Sequence, residues 1–285
     1  MRTHHTSHSN LWLAGSMGDL RIRSKRAIAV AAVSVIMAVG GCAIAPEDPE
    51  ALEAFREAND PIEPMNRWFF NVNQLLDKII LRRVAQAYRF IPETPRQGVT
   101  NILRNIDSPV ILANDLLQFK LTRAGTTAGR FVVNSTIGIG GIFDVASTFG
   151  LERHSEDFGQ TLGYWGVSEG PYLVLPIVGP APPRDALGNL VDYFLDPMTY
   201  LGKNSDDWEL LAPTRFSLEA INFRSRNFDQ IDEIERMSID LYATVRSAYR
   251  QSRNDDIRDG TSGPLVPVPQ ISIDFGDEET ASTSQ

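Results

Sequence analysis

The helical spacing of apolar residues is the feature that most narrows the possible folds of this chain. Between positions 66 and 90, apolar residues recur every three or four positions, as at Phe69, Val72 and Leu76, which predicts an amphipathic helix. The two-residue alternation of half-buried strands is almost absent, so the sequence predicts an all-α fold. Further helices are predicted over 95–105, 108–119, 122–136, 184–195, 213–225 and 229–253. The third helix should begin at Ser108-Pro109, because serine caps helices and proline suits their first turn.

The stretch 158–185 is apolar, rich in glycine and bracketed by prolines. Its glycines Gly159, Gly163, Gly166 and Gly170 stand four, three and four positions apart. They therefore form either a bare stripe on one helix face or a set of turns with positive φ. The apolar run 172–178 that follows is far shorter than the roughly 20 residues of a membrane-spanning helix. It enters a core or dips into a bilayer, and an ordinary buried strand or helix start is the simpler interpretation.

Residues 1–41 are predicted to be a signal peptide, with Met17 as an alternative start. Four basic residues between positions 21 and 26 precede an apolar run over 27–39, as in secretory signals. The residues before Cys42 resemble the lipobox of bacterial lipoproteins, so cleavage is expected after Gly41 and lipid attachment at Cys42. Cys42 is the only cysteine of the chain, which excludes an intramolecular disulfide. The residue after Cys42 is Ala43. An aspartate at this position would resemble an inner-membrane retention signal, so the alanine favours the outer membrane.

The net charge limits the possible partners. The whole chain carries −9, and removing residues 1–41 takes away five basic residues and one acidic residue, so the mature chain carries −13. This charge argues against nucleic acid and against electrostatic docking on anionic lipid. Membrane contact should therefore be apolar and lipid-anchored. Residues 42–59 are expected to form the lipidated N-terminus and a tether, 60–255 a helical domain, and 256–285 a disordered acidic tail.

One motif is typical of an enzyme. Gly166, Ser168 and Gly170 fit the G-x-S-x-G pattern of a serine hydrolase, and a serine phospholipase is the corresponding hypothesis. The mature chain has one histidine, His154, which precedes the serine and lies in a polar context that favours a solvated side chain. One histidine and one cysteine are also too few for a structural zinc site. The sequence thus favours a protein that is not an enzyme and that has no metal and no cofactor.

Short motifs between positions 60 and 253 resemble the MlaA (VacJ) family of outer-membrane lipoproteins. They occur in the family's order, behind the lipobox. The motif residues are Asp60-Pro61, Glu63 and Asn66-Arg67; Arg130-Phe131 and Asn134; Gly138, Gly140-Gly141 and Asp144; Phe158-Gly159 and Thr161-Leu162-Gly163; Gly170-Pro171-Tyr172 and Leu175-Pro176; Arg184-Asp185; Tyr242, Val245-Arg246, Ala248-Tyr249 and Gln251.

The resemblance implies a single ring-like helical domain with an amphipathic central channel, lying in the inner leaflet of the outer membrane. It implies removal of mislocalised phospholipid from the outer leaflet, binding to porin trimers of the OmpC/OmpF type, and transfer of lipid to the periplasmic carrier MlaC. By the same resemblance, Gly166 to Gly170 correspond to a loop that controls the channel, with Ser168 where some relatives have glycine. Phe70 and Asn71 correspond to a helix segment near the pore. A porin-binding scaffold lipoprotein is the alternative from another functional class.

Overall fold

The computed structural model describes residues 45, 46, 48–201 and 208–260. Within these residues the fold is all-α apart from one small hairpin, as the sequence predicts. The helices are α1 Pro49–Ala58, α2 Glu63–Leu76, α3 Arg82–Tyr88, α4 Glu93–Leu117, α5 Leu121–Thr136, α6 Phe158–Tyr164, α7 Pro183–Leu195, α8 Met198–Leu201, α9 Trp208–Arg226, α10 Phe228–Met237 and α11 Leu241–Ile257. A π-helical turn, Asp77–Leu81, joins α2 to α3, and a 3₁₀ turn covers Ala146–Phe149.

The hairpin lies in the apolar run after Gly170. Strand β1, Val174–Leu175, pairs antiparallel with β2, Gly179–Pro180, with Val174 opposite Pro180. Val174 is fully buried, and its side chain belongs to an aromatic cluster formed with Phe69, Phe70, Tyr172 and Tyr242. The simpler interpretation of this run, a buried strand, is therefore the correct one for its first half.

The glycines of 158–185 divide between the two predicted roles. Gly159 and Gly163 lie in α6, whereas Gly166 and Gly170 have φ values of +89° and +78°. A Cβ on Gly188 of α7 would stand 2.3 Å from the backbone nitrogen of Gly159. The first pair therefore serves close helix approach, and the second pair makes turns that favour glycine.

Two predicted helix boundaries are wrong. The sequence predicts a new helix at Ser108-Pro109, but α4 runs through Pro109 without a break. Ser108 does not cap a helix, because its hydroxyl donates to the Arg104 carbonyl one turn earlier, at 3.2 Å. Conversely, the helix predicted over 229–253 is interrupted between α10 and α11. Asp240 caps the second part by accepting a hydrogen bond from the Ala243 amide at 3.1 Å.

Helices extend into both segments that flank the predicted domain. A helix, α1, occupies most of the predicted tether. At the other end, α11 continues to Ile257, and Asp259 forms an ion pair with Lys120 at 2.5 Å. Helical structure therefore continues two residues beyond position 255, and the predicted domain bounds stay a prediction. The rest of the predicted acidic tail lies outside the described residues.

Candidate functional site

Two asparagines of α2 hold the hairpin in place. Asn66 is fully buried, and its amide nitrogen donates to the Tyr172 carbonyl at 2.9 Å, while its amide oxygen accepts from the Val174 amide at 2.9 Å. Two helical turns later, Asn73 repeats this arrangement. Its amide nitrogen donates to the Leu175 carbonyl at 2.9 Å, and its amide oxygen accepts from the Ile177 amide at 2.7 Å. The hairpin is thus paired with side chains of a helix along one edge, which satisfies backbone groups that a two-stranded sheet would leave unpaired.

A buried carboxylate joins α2 to the C-terminal helix. Asp60 is 2% exposed and accepts hydrogen bonds from Asn66 at 2.7 Å, from the Tyr242 hydroxyl and from Arg246 at 2.9 Å. Burial and the neighbouring carboxylate raise the pKa of Tyr242, so its hydroxyl remains a donor. The chain before α2 and the helix α11 therefore share one charged, fully hydrogen-bonded contact.

The predicted gating loop is an exposed turn between two anchored ends. Gly166 has positive φ, and a Cβ there would meet nothing within 4 Å. Ser168 is exposed, and Glu169 forms an ion pair with Arg250. The carbonyl of Gly170 accepts a hydrogen bond from Asn59 at 2.7 Å. Residues 166–168 therefore form a short exposed tip, and the residues that follow it are fixed by their contacts with Arg250 and Asn59.

The N-terminal flank of this loop is fixed by a charge network. Asp157 caps α6 and accepts hydrogen bonds from Arg253, which also contacts Asp185 at 3.1 Å. Burial alone would raise the pKa of Asp157 and of Asp185, but their hydrogen bonds and the nearby guanidinium groups lower both. Both groups therefore remain ionised at neutral pH. The network connects α6, α7 and α11 at the base of the loop.

The predicted pore residues Phe70 and Asn71 differ in burial, although they are neighbours on α2. Phe70 is 7% exposed and packs edge-to-face on Tyr242, with ring centroids 5.5 Å apart. Asn71 is exposed. Phe70 thus shares a cluster with Tyr172, two residues after Gly170, whereas Asn71 faces outward. Their part in a channel stays a prediction.

The geometry around Ser168 differs from a hydrolase elbow. A helix, α6, precedes the serine instead of a strand. The sequence predicts a solvated His154, and this prediction is wrong, because its side chain is only 15% exposed. Its Nε2 atom lies 3.0 Å from the Asp115 carboxylate and 3.1 Å from the Thr127 hydroxyl. The only histidine of the mature chain is therefore bound to partners on α4 and α5.

A small polar cavity lies between α4, α5 and the loop that follows α5. Its volume is about 30 Å³, and ten of its eleven lining residues are polar, with Ile111 as the exception. Three of them are the arginines Arg104, Arg130 and Arg153. Sequence reasoning did not single out Arg104 or Arg153, because two arginines 49 positions apart give no pattern that predicts their proximity.

The described residues have an unusual distribution of polarity. Twenty polar or charged side chains are buried, against eleven apolar ones. At the same time, many large apolar side chains are exposed. Examples are Leu75, Ile79, Ile80 and Val84 on the continuous helical segment formed by α2, the π-helical turn and α3, and Leu187, Leu190 and Phe194 on α7. Monomeric proteins in water rarely expose contiguous apolar surface on this scale, which marks contact with a membrane or a partner.

Gly41 and Cys42 lie outside the described residues. Within 45–46, 48–201 and 208–260, no helix has the length and apolar content needed to cross a bilayer. Across the same ranges, no three histidine, cysteine, aspartate or glutamate side chains gather where they could hold a metal ion.

The fold and its polarity define a helical protein with a polar interior, an apolar exterior and a small hairpin clamped by asparagines. Its sequence matches the model of the family described as MlaA lipoprotein over residues 58–256. The chain therefore belongs to the MlaA lipoprotein family.

Individual relatives agree with this assignment. The chain is 35% identical over 232 residues to the intermembrane phospholipid transport system lipoprotein MlaA of Escherichia coli, covering 80% of this chain and 86% of the relative. It is 37% identical over 205 residues to an uncharacterised protein of Rickettsia bellii, covering 71% and 78%. A solved structure described as "Structural basis for maintenance of bacterial outer membrane lipid asymmetry" aligns with a TM-score of 0.62 at 33% identity. That alignment covers 70% of this chain and 98% of the solved one.

Proposed function

We propose that this protein is an outer-membrane lipoprotein that removes mislocalised phospholipid from the outer leaflet and passes it through an amphipathic channel towards the periplasm. The observation that carries the proposal is the distribution of polarity, with polar groups inside and apolar side chains outside. A phospholipid has a charged head and apolar tails, so a path for it needs a polar lining within a body that lies in lipid. The name of the Escherichia coli relative and the description of the solved structure support the same function.

In this proposal Cys42 is diacylated after cleavage behind Gly41, and the lipid anchor keeps the protein in the inner leaflet of the outer membrane. More than one acyl chain makes such anchoring durable. The helical domain forms a ring around the channel. Porin trimers of the OmpC/OmpF type hold the protein in place, and a soluble carrier of the MlaC type receives the lipid. Transfer along a continuous path breaks no covalent bond, so the function requires no catalytic residue.

Photocrosslinking of lipid tests the function directly. A photoreactive amino acid at Asn71 or Ser168 samples exposed positions next to the predicted path without disturbing the buried cluster around Phe70. Ser247, exposed on α11, is the matched control position. We expect mass spectrometry to detect intact phospholipid attached at the first two positions and not at the control. Firm porin binding with no lipid at any position would favour the scaffold alternative.

The loop tip is proposed to gate the path, with Gly166 and Gly170 supplying its turns and Ser168 its exposed tip. Gly166→Ala tests this, because the new side chain would meet no neighbour and acts only through the backbone, at a cost of about 1–2 kcal/mol. Gly150 is a matched control, since it also has positive φ and an open Cβ position. We expect Gly166→Ala to alter outer-membrane lipid asymmetry and detergent resistance at normal protein levels. Equal behaviour of the two variants would refute gating by Gly166.

A further inference from the structure

The cavity between α4 and α5 is lined by three arginines, of which only one is paired with a carboxylate among the described residues. Of its three arginines, Arg130 is paired with Asp144, whose two carboxylate oxygens each lie 2.9 Å from one guanidinium nitrogen. The guanidinium groups of Arg104 and Arg153 make no hydrogen bond or ion pair with any other residue in the part of the chain that the structure describes. Asp107 raises the pKa of Arg153 by its charge, but its carboxylate already accepts a hydrogen bond from Arg215 at 2.7 Å.

The arginines repel one another. Burial is the main cause that lowers the pKa of Arg104, and the neighbouring Arg226 lowers it further. Burial and then Arg104 lower the pKa of Arg153 to about 10, so its guanidinium group remains charged at neutral pH. The chain has a net charge of −9, so the excess of arginines around this cavity is opposite in sign to the charge of the protein as a whole. Unneutralised like charges around one cavity are unfavourable for folding alone, and such clusters are typical of sites that bind a ligand of the opposite charge.

The size and lining of the cavity limit what can bind. A volume of about 30 Å³ holds about two water-sized groups, so the cavity takes a few polar atoms and not an acyl chain. Guanidinium groups match the oxygens of phosphate with paired, charge-assisted hydrogen bonds. As whole residues, Arg153 is exposed and Arg104 half-buried, so both line a cavity that lies near the protein surface.

We infer that Arg104 and Arg153 bind a phosphate group at the mouth of this cavity, and that this phosphate belongs to a phospholipid headgroup. The second part of the inference rests on the proposed function. The site would hold the head of the lipid by its phosphate, which all glycerophospholipids share, while the acyl chains remain on the apolar exterior. Selection by phosphate would admit phospholipids of different headgroups and reject neutral diacylglycerol.

Binding measurements on the purified full-length protein in neutral detergent test the site. The variants are Arg104→Gln, Arg153→Gln and the double variant, with Arg236→Gln as control, because the side chain of Arg236 is 75% exposed on α10. The probes are dihexanoyl-phosphatidylglycerol, dihexanoylglycerol and inorganic phosphate. We expect each single variant to weaken binding of the phospholipid by about tenfold, since each removes charge-assisted hydrogen bonds. Binding of the phosphate-free glyceride should not change.

Thermal unfolding separates a binding role from a structural one. The two arginines have no partner among the described residues and repel their neighbours, so the glutamine variants should unfold at the same temperature as the unmodified protein or higher. A clear loss of stability together with unchanged phospholipid affinity would overturn the inference. Inorganic phosphate that binds as tightly as the phospholipid, with the same dependence on both arginines, would overturn the headgroup assignment.

The crosslinking at Asn71 distinguishes this inference from the proposed function. Lipid captured there by the unmodified protein, with glutamine variants that still bind phospholipid normally, would refute the phosphate site and leave the transport function standing. No lipid captured by the unmodified protein would refute the transport function itself.

Discussion

Asp144 lies at the centre of a hydrogen-bond network whose contribution should depend on pH. Its carboxylate accepts hydrogen bonds from Arg130 at 2.9 Å, from Asn134 at 3.0 Å and from Ser147 at 2.7 Å. Burial alone would raise the pKa of Asp144, but the hydrogen bonds from Ser147, Arg130 and Asn134 lower it from 3.8 to about 2. The ionised form is therefore the one that the folded state stabilises.

The fall in pKa sets an upper limit for this contribution. At about 1.4 kcal/mol per pH unit, the difference between 3.8 and about 2 corresponds to roughly 2.4 kcal/mol. The Asp144 side chain is 27% exposed, so water screens part of the interaction, and we expect about 1–2 kcal/mol. Because the folded pKa is below the unfolded one, the stabilisation is complete above about pH 5 and is lost as the pH falls from 3.8 towards 2.

The variant Asp144→Asn tests this reasoning. Urea unfolding in detergent, followed by near-ultraviolet circular dichroism, gives the free energy of unfolding at pH 7 and at pH 2.5. We expect the variant to be less stable by about 1–2 kcal/mol at pH 7, and the deficit to shrink to about 0.5 kcal/mol or less at pH 2.5. Asp229→Asn is the control, because Asp229 is 82% exposed and its pair with Arg89 should contribute little at either pH. An equal deficit of Asp144→Asn at both pH values would refute the electrostatic account.

Three further substitutions test other features of the fold and site. Gly188→Ala should destabilise the protein by about 3 kcal/mol or more in thermal unfolding, because its Cβ would overlap backbone, whereas Gly125→Ala, with open space, should be neutral or slightly stabilising. Similar effects of the two would contradict the close helix approach. Asn66→Ala should cost about 2–4 kcal/mol and speed hydrogen exchange at the Val174 amide, since buried backbone groups lose their partner; unchanged exchange would contradict the clamp. Ser168→Ala should leave lipid capture within about twofold, and loss of activity would instead favour the phospholipase hypothesis.

The sequence predicts the class of fold well because helical periodicity reports burial along one face. It fails where tertiary contacts outweigh local preference. Pro109 removes a backbone donor and normally interrupts a helix at a cost of about 3 kcal/mol. Here α4 continues through it, since buried polar residues on both sides, Asn105 and Asn114, fix that helix against its neighbours. No local pattern contains that information.

The break between α10 and α11 has a local signal in the sequence, unlike the continuity of α4, but helical periodicity hides it. Its signal, Asp240 as N-cap, is local, but apolar residues continue at helical spacing across it. Periodicity alone therefore favoured one long helix.

The candidate site was only partly predictable. The positive φ of Gly166 and Gly170 follows one of the two interpretations that glycine spacing leaves open. The environment of His154 did not follow from sequence, because its polar neighbours along the chain predict exposure while Asp115 and Thr127 come from other helices. The arginine cavity is likewise formed by contacts between α4 and a distant loop. Which distant residues tertiary packing brings together can therefore be read only from the structure.

The reversed polarity changes which substitutions this chain can accept over evolution or in engineering. Asn114 is fully buried, donates to Asp192 at 2.9 Å and accepts from Thr161 at 2.9 Å, so a leucine there would leave two buried groups unmatched. Phe90 and Phe119, at 87% and 83% exposed, have little covering from the protein, and hydrophilic replacements there remove few internal contacts. For folding stability, mutational tolerance should therefore be lowest at the buried amides and carboxylates, whereas the exposed apolar positions are constrained by what they contact outside the protein and not by internal packing.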